Sequence, residues 1–396
     1  MLTRTNQKNK DELSILGFGC MRFPQKGTGI DEARSIAMIR SAIEQGVNYF
    51  DTAYFYHGGK SESLLGDALS GGYRERVKVA TKLPPFMVSK LEGAKKIFDN
   101  QCTKLQTNYI DYYLLHMLTD KATLDRMISI GVMDWLEQLK KEGTIHNIGF
   151  SFHGGKADFE QIISAYPWDF CQIQYNYLDE NNQATKSGLQ LAASLGIPVI
   201  VMEPLRGGKL VNNLPDDVVK AFKSSDAKRT PAEWALRWIW NHPEVSVILS
   251  GMGDEQQLAE NIAIASNATA NSLSKEELDV FEKVKKIMLE RTKVPCTACG
   301  YCMPCPHGVN IPGCFASYND KYLLNTKNNR LNYMQTQGVM SKKPSYASLC
   351  TECGKCELHC PQNISIRKEL KQVKKELEGP LFKPVVAVAR KIMKVK

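Results

Sequence analysis

From residue 14 to about residue 270, short apolar segments rich in Val, Ile and aromatic residues alternate with longer stretches of helical period. Strands buried on both faces read as near-continuous apolar runs, and their alternation with crossover helices is the pattern of a parallel sheet. Eight strands are predicted, at residues 15–21, 49–52, 77–81, 109–116, 147–152, 170–175, 198–203 and 246–250. Eight is the number that closes a (β/α)8 TIM barrel. The helices between them are well marked: 31–45 stops at Gly46, 61–69 follows the second strand, and 231–241 starts behind a Thr230 cap with Pro231 in its first turn. A doubly wound open sheet is the competing fold, but it wants G-x-G-x-x-G after the first strand. The stretch Gly17-Phe18-Gly19-Cys20 lacks the third glycine and a helix start.

A last barrel helix is predicted from 275 to about 289, and the composition shifts at 291–295. The pattern therefore divides the chain into a barrel domain (1–290), a small cysteine-rich domain (291–370) and a basic tail (371–396). The small domain carries two tight runs: Cys296, Cys299, Cys302 and Cys305 before Pro306, and Cys350, Cys353, Cys356 and Cys360 before Pro361. The second run reproduces the ferredoxin spacing C-x2-C-x2-C-x3-C-P, which wraps a short loop around one iron–sulfur cube. Zinc is the alternative, since C-x2-C pairs also build zinc ribbons, but one zinc ion needs only four ligands and no closing Cys-Pro in each run. Two 4Fe-4S clusters are expected. In paired clusters the fourth cysteine of each run ligates the other cube, giving one set of Cys296, Cys299, Cys302 and Cys360 and another of Cys350, Cys353, Cys356 and Cys305. The first run has two rather than three residues before its last cysteine, which leaves its ligand set open. The long spacer, 306–349, with a helix around 315–323, resembles α-helical ferredoxin domains and implies a mainly α-helical dicluster module.

Composition adds limits. Of 396 residues, 43% are hydrophobic and 23% charged, as in ordinary globular chains. The other cysteines, Cys20, Cys102, Cys171 and Cys314, are scattered, which argues against a disulfide framework and for a reducing compartment. The polar N-terminus, MLTRTNQKNKDELS, has no apolar core for a signal peptide, and no apolar run is long enough to span a bilayer. A cytoplasmic protein without a membrane span is expected. The net charge of +9 is dispersed over helices that also carry acids, such as KEELDVFEKVKK, so nucleic acid is not an expected partner. The tail from Leu381 has five Lys or Arg and no acid; it reads as a solvated helix end rather than a docking site.

In a parallel barrel, side chains at the carboxyl ends of strands face the active site. Asp51 ends the second predicted strand, Tyr56 follows in its loop, Lys82 comes at the end of the third and His116 ends the fourth. Such a set can reduce a carbonyl. A developing alkoxide needs a proton, and a phenol with an ordinary pKa near 10 is a poor donor. A neighbouring ammonium lowers that pKa by favouring phenolate, and a carboxylate keeps the ammonium charged and aimed. A histidine can orient the carbonyl oxygen. Tyr54 also follows Asp51, but the five-residue offset favours Tyr56. Trp234, Trp238 and Trp240 share a predicted helix and read as core, and His153 is a candidate pocket-lining residue.

The stretch FDTAYFYHGGKSESLLGDAL, ATKLP at 80–84, LLH at 114–116 and QYN at 174–176 resemble the aldo/keto reductase superfamily in order and spacing over roughly 14–265. The resemblance implies Tyr56 as general acid, Lys82 and Asp51 as its tuning pair and His116 as substrate orienter. It further implies an NAD(P)H site, with Ser151 and Gln174 at the nicotinamide amide, Pro204, Leu205, Gly207 and Lys209 along the pyrophosphate, and Gly251, Gln257, Glu260 and Asn261 near the adenosine. Two departures stand out. Phe152 replaces an Asn common in the family, and the segment 250–257 carries Asp254 and Glu255 with no cation for a 2′-phosphate. Arg206 and Lys209 stand near enough in sequence to reach the phosphates.

Nicotinamide delivers two electrons and a cluster accepts one, so the two halves need an intermediary or separate duties. The first reading is an oxidoreductase of the aldo/keto reductase type acting on a small-molecule carbonyl, with clusters relaying electrons to a ferredoxin- or flavodoxin-like partner. A second places a flavin in the barrel mouth; a third is a redox-sensing subunit with vestigial catalysis. The loops at 84–89 and 117–124 carry no decisive polar signature for the substrate.

Overall fold

The computed structural model describes residues 1–27, 29–296, 302–324, 328–339, 341, 343–360 and 364–392. They form two compact units, Met1–Leu210 with Arg229–Ser274, and Val211–Lys228 with Lys275–Lys396.

The first unit is a closed barrel of eight parallel strands, each paired with its sequence neighbours and the last with the first. The strands are β1 (Leu16–Gly19), β2 (Tyr49–Asp51), β3 (Lys78–Leu83), β4 (Ile110–Leu118), β5 (Ile145–Phe152), β6 (Phe170–Gln174), β7 (Val199–Met202) and β8 (Val245–Ser250). All eight predicted strands are present. The helices follow their caps: Glu32–Glu44 behind Asp31, which accepts from Arg34 N, and Pro231–Trp240 behind Thr230, which accepts from Glu233 N. Trp234, Trp238 and Trp240 are buried, as expected of a core helix.

Alternate residues of a strand point to the same face. Inside the barrel this brings together Tyr49, Ala80, Tyr112, Leu114, Phe170, Ile200, Val247 and Leu249 as one apolar plug. Truncating Phe170 there would cost about 3–5 kcal/mol, the usual penalty for emptying an aromatic site. Gly17 belongs to this layer because a Cβ would stand 2.9 Å from Leu249 and Val247 methyl carbons and 3.3 Å from the Tyr49 ring. One inward step further along the same strands come Asp51 after Tyr49, Lys82 after Ala80, His116 after Leu114 and Gln172 after Phe170. The polar layer at the carboxyl end thus rests on a dry floor.

An N-terminal hairpin, Thr3–Thr5 with Glu12–Ser14, was not anticipated from the sequence. Its connection is tied to the barrel through the Tyr112 hydroxyl, which receives Asn6 Nδ2 at 3.1 Å and donates to Asp11 at 2.8 Å. Three-residue strands are too short for a period to show.

In the second unit, Ile311–Leu323, Ile366–Leu377 and Phe382–Ile392 contribute Phe315, Tyr318, Leu370, Val373, Leu377, Phe382 and Val386 to one core with Tyr333. The tail helix is therefore not simply a solvated end: Phe382 and Val386 are buried and Arg390 Nη1 donates to the carbonyls of Gly338 and Val339. Compactness also places Lys275–Arg291 in this unit, beside Asp216–Lys223. Phe281 meets Phe222 edge-on at 6.0 Å and Arg291 pairs with Asp217 at 2.7 Å. The compositional break at 291–295 lies within that unit. Among the described residues no helix is long and apolar enough to cross a membrane.

Candidate active site and cysteine-rich centre

Asp51, Tyr56, Lys82 and His116 come together at the carboxyl end of the barrel. Lys82 Nζ donates to Asp51 Oδ1 at 2.5 Å, to the Thr52 carbonyl at 2.8 Å and to the Tyr56 hydroxyl at 3.3 Å. Tyr54 lies elsewhere, its ring beneath Lys104 Nζ at 4.7 Å, so the five-residue offset selects the tyrosine that reaches Lys82. The Tyr56 and His116 rings meet edge-on at 6.1 Å. Lys82 is 1% and Asp51 3% exposed, so neither charge is shared with water.

Burial by itself would lower the Lys82 ammonium, but Asp51 and Tyr56 outweigh it and hold the group above its ordinary value. Burial pushes the Asp51 carboxyl up, against the pull of Lys82. Burial and then the Lys82 charge push His116 down to about 2, so it is a neutral imidazole at physiological pH. The phenol departs from expectation: burial raises Tyr56 above its usual value, and Lys82 offsets this only in part. His153 is pushed down to about 4, first by burial and then by the same ammonium.

Sequence reasoning missed the supports. Gln172 donates to Asp51 Oδ2 at 3.2 Å. Gln101 Nε2 holds the Lys82 carbonyl at 3.0 Å and the buried Glu62 carboxylate at 2.8 Å. Gln172 was open to detection as the residue two before Gln174 on the same inward face; Gln101 comes from a helix and carried no such signal.

The residues expected at a dinucleotide occupy the remaining strand ends. Ser151 Oγ accepts from Met117 N at 2.8 Å, and Gln174 bonds Asp179 and Gln183 at 2.9 and 3.1 Å. Pro204, Leu205, Gly207 and Lys209 lie in the loop after β7, around the short turn Arg206–Gly208. After β8 come Gly251, Gln257 and Asn261. Gln257 closes onto Asp254 and Gly253, and Asn261 donates to Ser250 Oγ at 2.9 Å. Glu260 turns instead to the Thr230 hydroxyl. Phe152 is buried among Phe150 and Phe159. The acidic segment does face a cation, brought by a distant helix: Arg34 Nε and Nη2 grip Glu255 at 2.8 and 2.5 Å. This pairing holds the Glu255 carboxyl down at about 2.

Around the mouth, Met21, Phe55, Phe86 and Met87 follow the ends of β1 to β3, Met117 lies in β4 just before its last residue, Leu118, and all are exposed, Phe86 by 67%. Phe55 and Phe86 stack at 5.3 Å.

In the second unit Cys299 lies outside the described residues. Cys296, Cys302, Cys305, Cys350, Cys356 and Cys360 are partly buried against the helical core, and Cys353 is exposed. Burial raises the Cys356 thiol, and Glu357, Cys350 and Cys305 raise it further. Cys305 from the first run is thus an electrostatic neighbour of Cys356 of the second. Glu352 and Gly354, at φ 61° and 77°, curl the second loop, and Glu352 N donates to Cys350 Sγ at 3.4 Å. Amides wound this way suit an anionic cluster. Among the described residues no three His, Cys, Asp or Glu groups form a ready metal cage. The cysteine donors and the Glu352 amide on Cys350 Sγ nevertheless fit a thiolate-ligated cluster. Cys314, in the core behind these cysteines, is buried and bonded to Tyr333, and burial pushes its thiol up to about 12 with smaller contributions from Cys305 and Cys350.

Residues 15–286 match the model of the aldo/keto reductase family, well over half of the chain. The chain belongs to the aldo/keto reductase family. Residues 295–364 match the 4Fe-4S dicluster domain. Among family relatives, probable aldo-keto reductase 1 of Glycine max is 27% identical over 309 residues, covering 69% of this chain and 86% of that one. L-galactose dehydrogenase of Arabidopsis thaliana is 26% identical over 69% of this chain and 91% of its own. The holo form of aldo-keto reductase AKR11C1 from Bacillus halodurans has a TM-score of 0.60 at 27% identity, over 72% of this chain and 96% of its own. An aldo-keto reductase from Klebsiella pneumoniae, solved in complex with NADPH, shares the fold with a TM-score of 0.58 at 24% identity, over 72% and 96%.

Proposed function

We propose that the barrel reduces a carbonyl, or oxidises the corresponding alcohol, with a nicotinamide cofactor. The observation that carries this reading is the hydrogen-bonded chain Asp51–Lys82–Tyr56, with a neutral His116 across from the phenol. A bound reduced nicotinamide supplies the hydride. As charge grows on the substrate oxygen, Tyr56 gives up its proton to that oxygen. Lys82 compensates the phenolate left behind, and Asp51, steadied by Gln172, keeps Lys82 in place. His116, being neutral, can donate one hydrogen bond to the same oxygen without competing with Lys82 for it. The raised phenol stays protonated through the neutral range, which suits a proton donor better than a base.

Ser151 and Gln174 would hold the nicotinamide end, with Pro204, Leu205, Gly207 and Lys209 along the phosphates and Gly251, Gln257 and Asn261 at the adenosine. Because Glu255 occupies Arg34 and Asp254 lies beside it, a dinucleotide without a 2′-phosphate fits best. The apolar mouth favours a substrate with an aromatic or aliphatic body. In the second unit, Cys350, Cys353, Cys356 and Cys305 would hold one cluster and Cys296, Cys299, Cys302 and Cys360 the other. Such clusters supply one-electron transfer to an outside carrier.

Replacing Tyr56 by Phe tests the core of this reading. NADH-dependent reduction of aromatic aldehydes is expected to fall roughly 10²–10⁴-fold, as for loss of a general acid, with NADH binding retained. Unchanged turnover in Tyr56→Phe would refute it.

A further inference from the structure

The loops after β7 and β8 are joined by Arg22, from the loop after β1. A Cβ on Gly207 would stand 2.9 Å from an Arg22 Nη2, and one on Gly251 would meet the Arg22 side chain at 3.0, 3.1 and 3.2 Å. Both glycines therefore leave bare backbone where the arginine lies, and Gly207 adopts φ +66°, a conformation that disfavours side chains in any case. The other arginines nearby are committed. Arg206 Nε pairs with Asp179 at 3.2 Å, and Arg34 grips Glu255 with two nitrogens. Arg22 is half exposed, and its ion pair with Glu203 is long, 3.4 Å. In TIM barrels the loops after the seventh and eighth strands commonly form a phosphate site, and a guanidinium fork matches phosphate oxygens.

We propose that Arg22 is a phosphate latch. It releases Glu203 and pairs with the pyrophosphate of a dinucleotide lying over Gly207 and Gly251. The latch rests on the reading that the barrel binds a nicotinamide dinucleotide. From the loop after β1 it supplies a guanidinium fork in addition to Lys209, the lysine of the segment after β7.

Calorimetric titration of the full-length protein with ADP-ribose and with adenosine separates the two ideas. Arg22→Ala is expected to weaken ADP-ribose about 10- to 100-fold, the scale of one charge-assisted contact, and to leave adenosine unchanged. Arg22→Lys, which keeps the charge without the fork, should fall between. Equal ADP-ribose affinity in wild type and Arg22→Ala overturns the latch alone. Parallel loss of adenosine overturns it too, because the loop rather than a phosphate contact has then been disturbed. Wild-type protein that binds neither ADP-ribose nor NADH overturns the dinucleotide reading, and the latch with it.

Discussion

In the barrel, the charged groups at the strand ends are surrounded by opposite charge: Lys82 lies between Asp51 and the Tyr56 oxygen, with Gln172 holding the far side of the carboxylate. At Cys356 of the second unit, by contrast, like charges gather, with Arg367 the cation within electrostatic reach. Cys356 feels Glu357, Cys350 and Cys305, all of which oppose its ionisation. A cationic centre would favour a thiolate set of this kind. The barrel site is therefore balanced within protein atoms, whereas the cysteine set, in a segment matching the 4Fe-4S dicluster domain, is expected to be balanced by iron.

The largest test of that difference is removal of the metal. Anaerobically purified protein should be brown, with about eight irons per chain when both cubes form. Chelation should abolish the visible spectrum and the cooperative melting of the second unit while ADP-ribose binding persists, and Cys350→Ser with Cys353→Ser should remove about half of the cluster absorbance. Melting of both units together, or zinc without sulfide, would break the contrast.

Next comes the buried pair. Lys82→Met leaves Asp51 without its counter-ion, which should destabilise the barrel by about 3–5 kcal/mol in urea titrations. A shift below about 1 kcal/mol would mean that the pair contributes little to holding the site.

The two imidazoles give a smaller effect with a defined sign. An unfolded histidine takes up a proton as pH falls through its ordinary 6.5, whereas folded His116 and His153 resist until about 2 and about 4. Their contribution is fully present above pH 6.5 and is lost on acidification. Between pH 6.5 and 4 each should remove about 1.4 kcal/mol of stability per pH unit. His116→Gln should halve that slope, as read from urea midpoints against pH.

The smallest effect is cofactor choice. Glu255→Gln should free Arg34 and shift the NADPH-to-NADH ratio of kcat/KM several-fold toward NADPH, on the scale of one exposed ion pair of about 0.2–1 kcal/mol. No shift would separate Arg34 from the adenosine end.

Much of the barrel was legible because strand period and parallel-sheet burial leave a local signature: all eight strands and the capped helices follow from it. The four polar residues at successive strand ends were legible for the same reason. What escaped detection depends on distant elements meeting. Arg22 and Arg34 reach the β7 and β8 loops from the other end of the barrel sequence, and Gln101 arrives from a helix. The Tyr56 phenol was expected to be lowered by Lys82, yet burial outweighs the ammonium, a balance that residue spacing does not reveal. The tail helix escaped because two buried positions, Phe382 and Val386, sit among exposed Leu381, Val385 and Val388, so its apolar residues do not declare which face is covered. In the cysteine-rich segment the dicluster domain was legible from the spacing of its two cysteine runs.

Transfer of deuterium tests the central claim most directly. The protein is given an aromatic aldehyde and NADH carrying deuterium at its transferable position, and the alcohol formed is analysed by mass spectrometry. The account predicts deuterium on the alcohol carbon with wild-type protein and almost no alcohol with Tyr56→Phe; alcohol formed without deuterium, or formed equally by the variant, would contradict it.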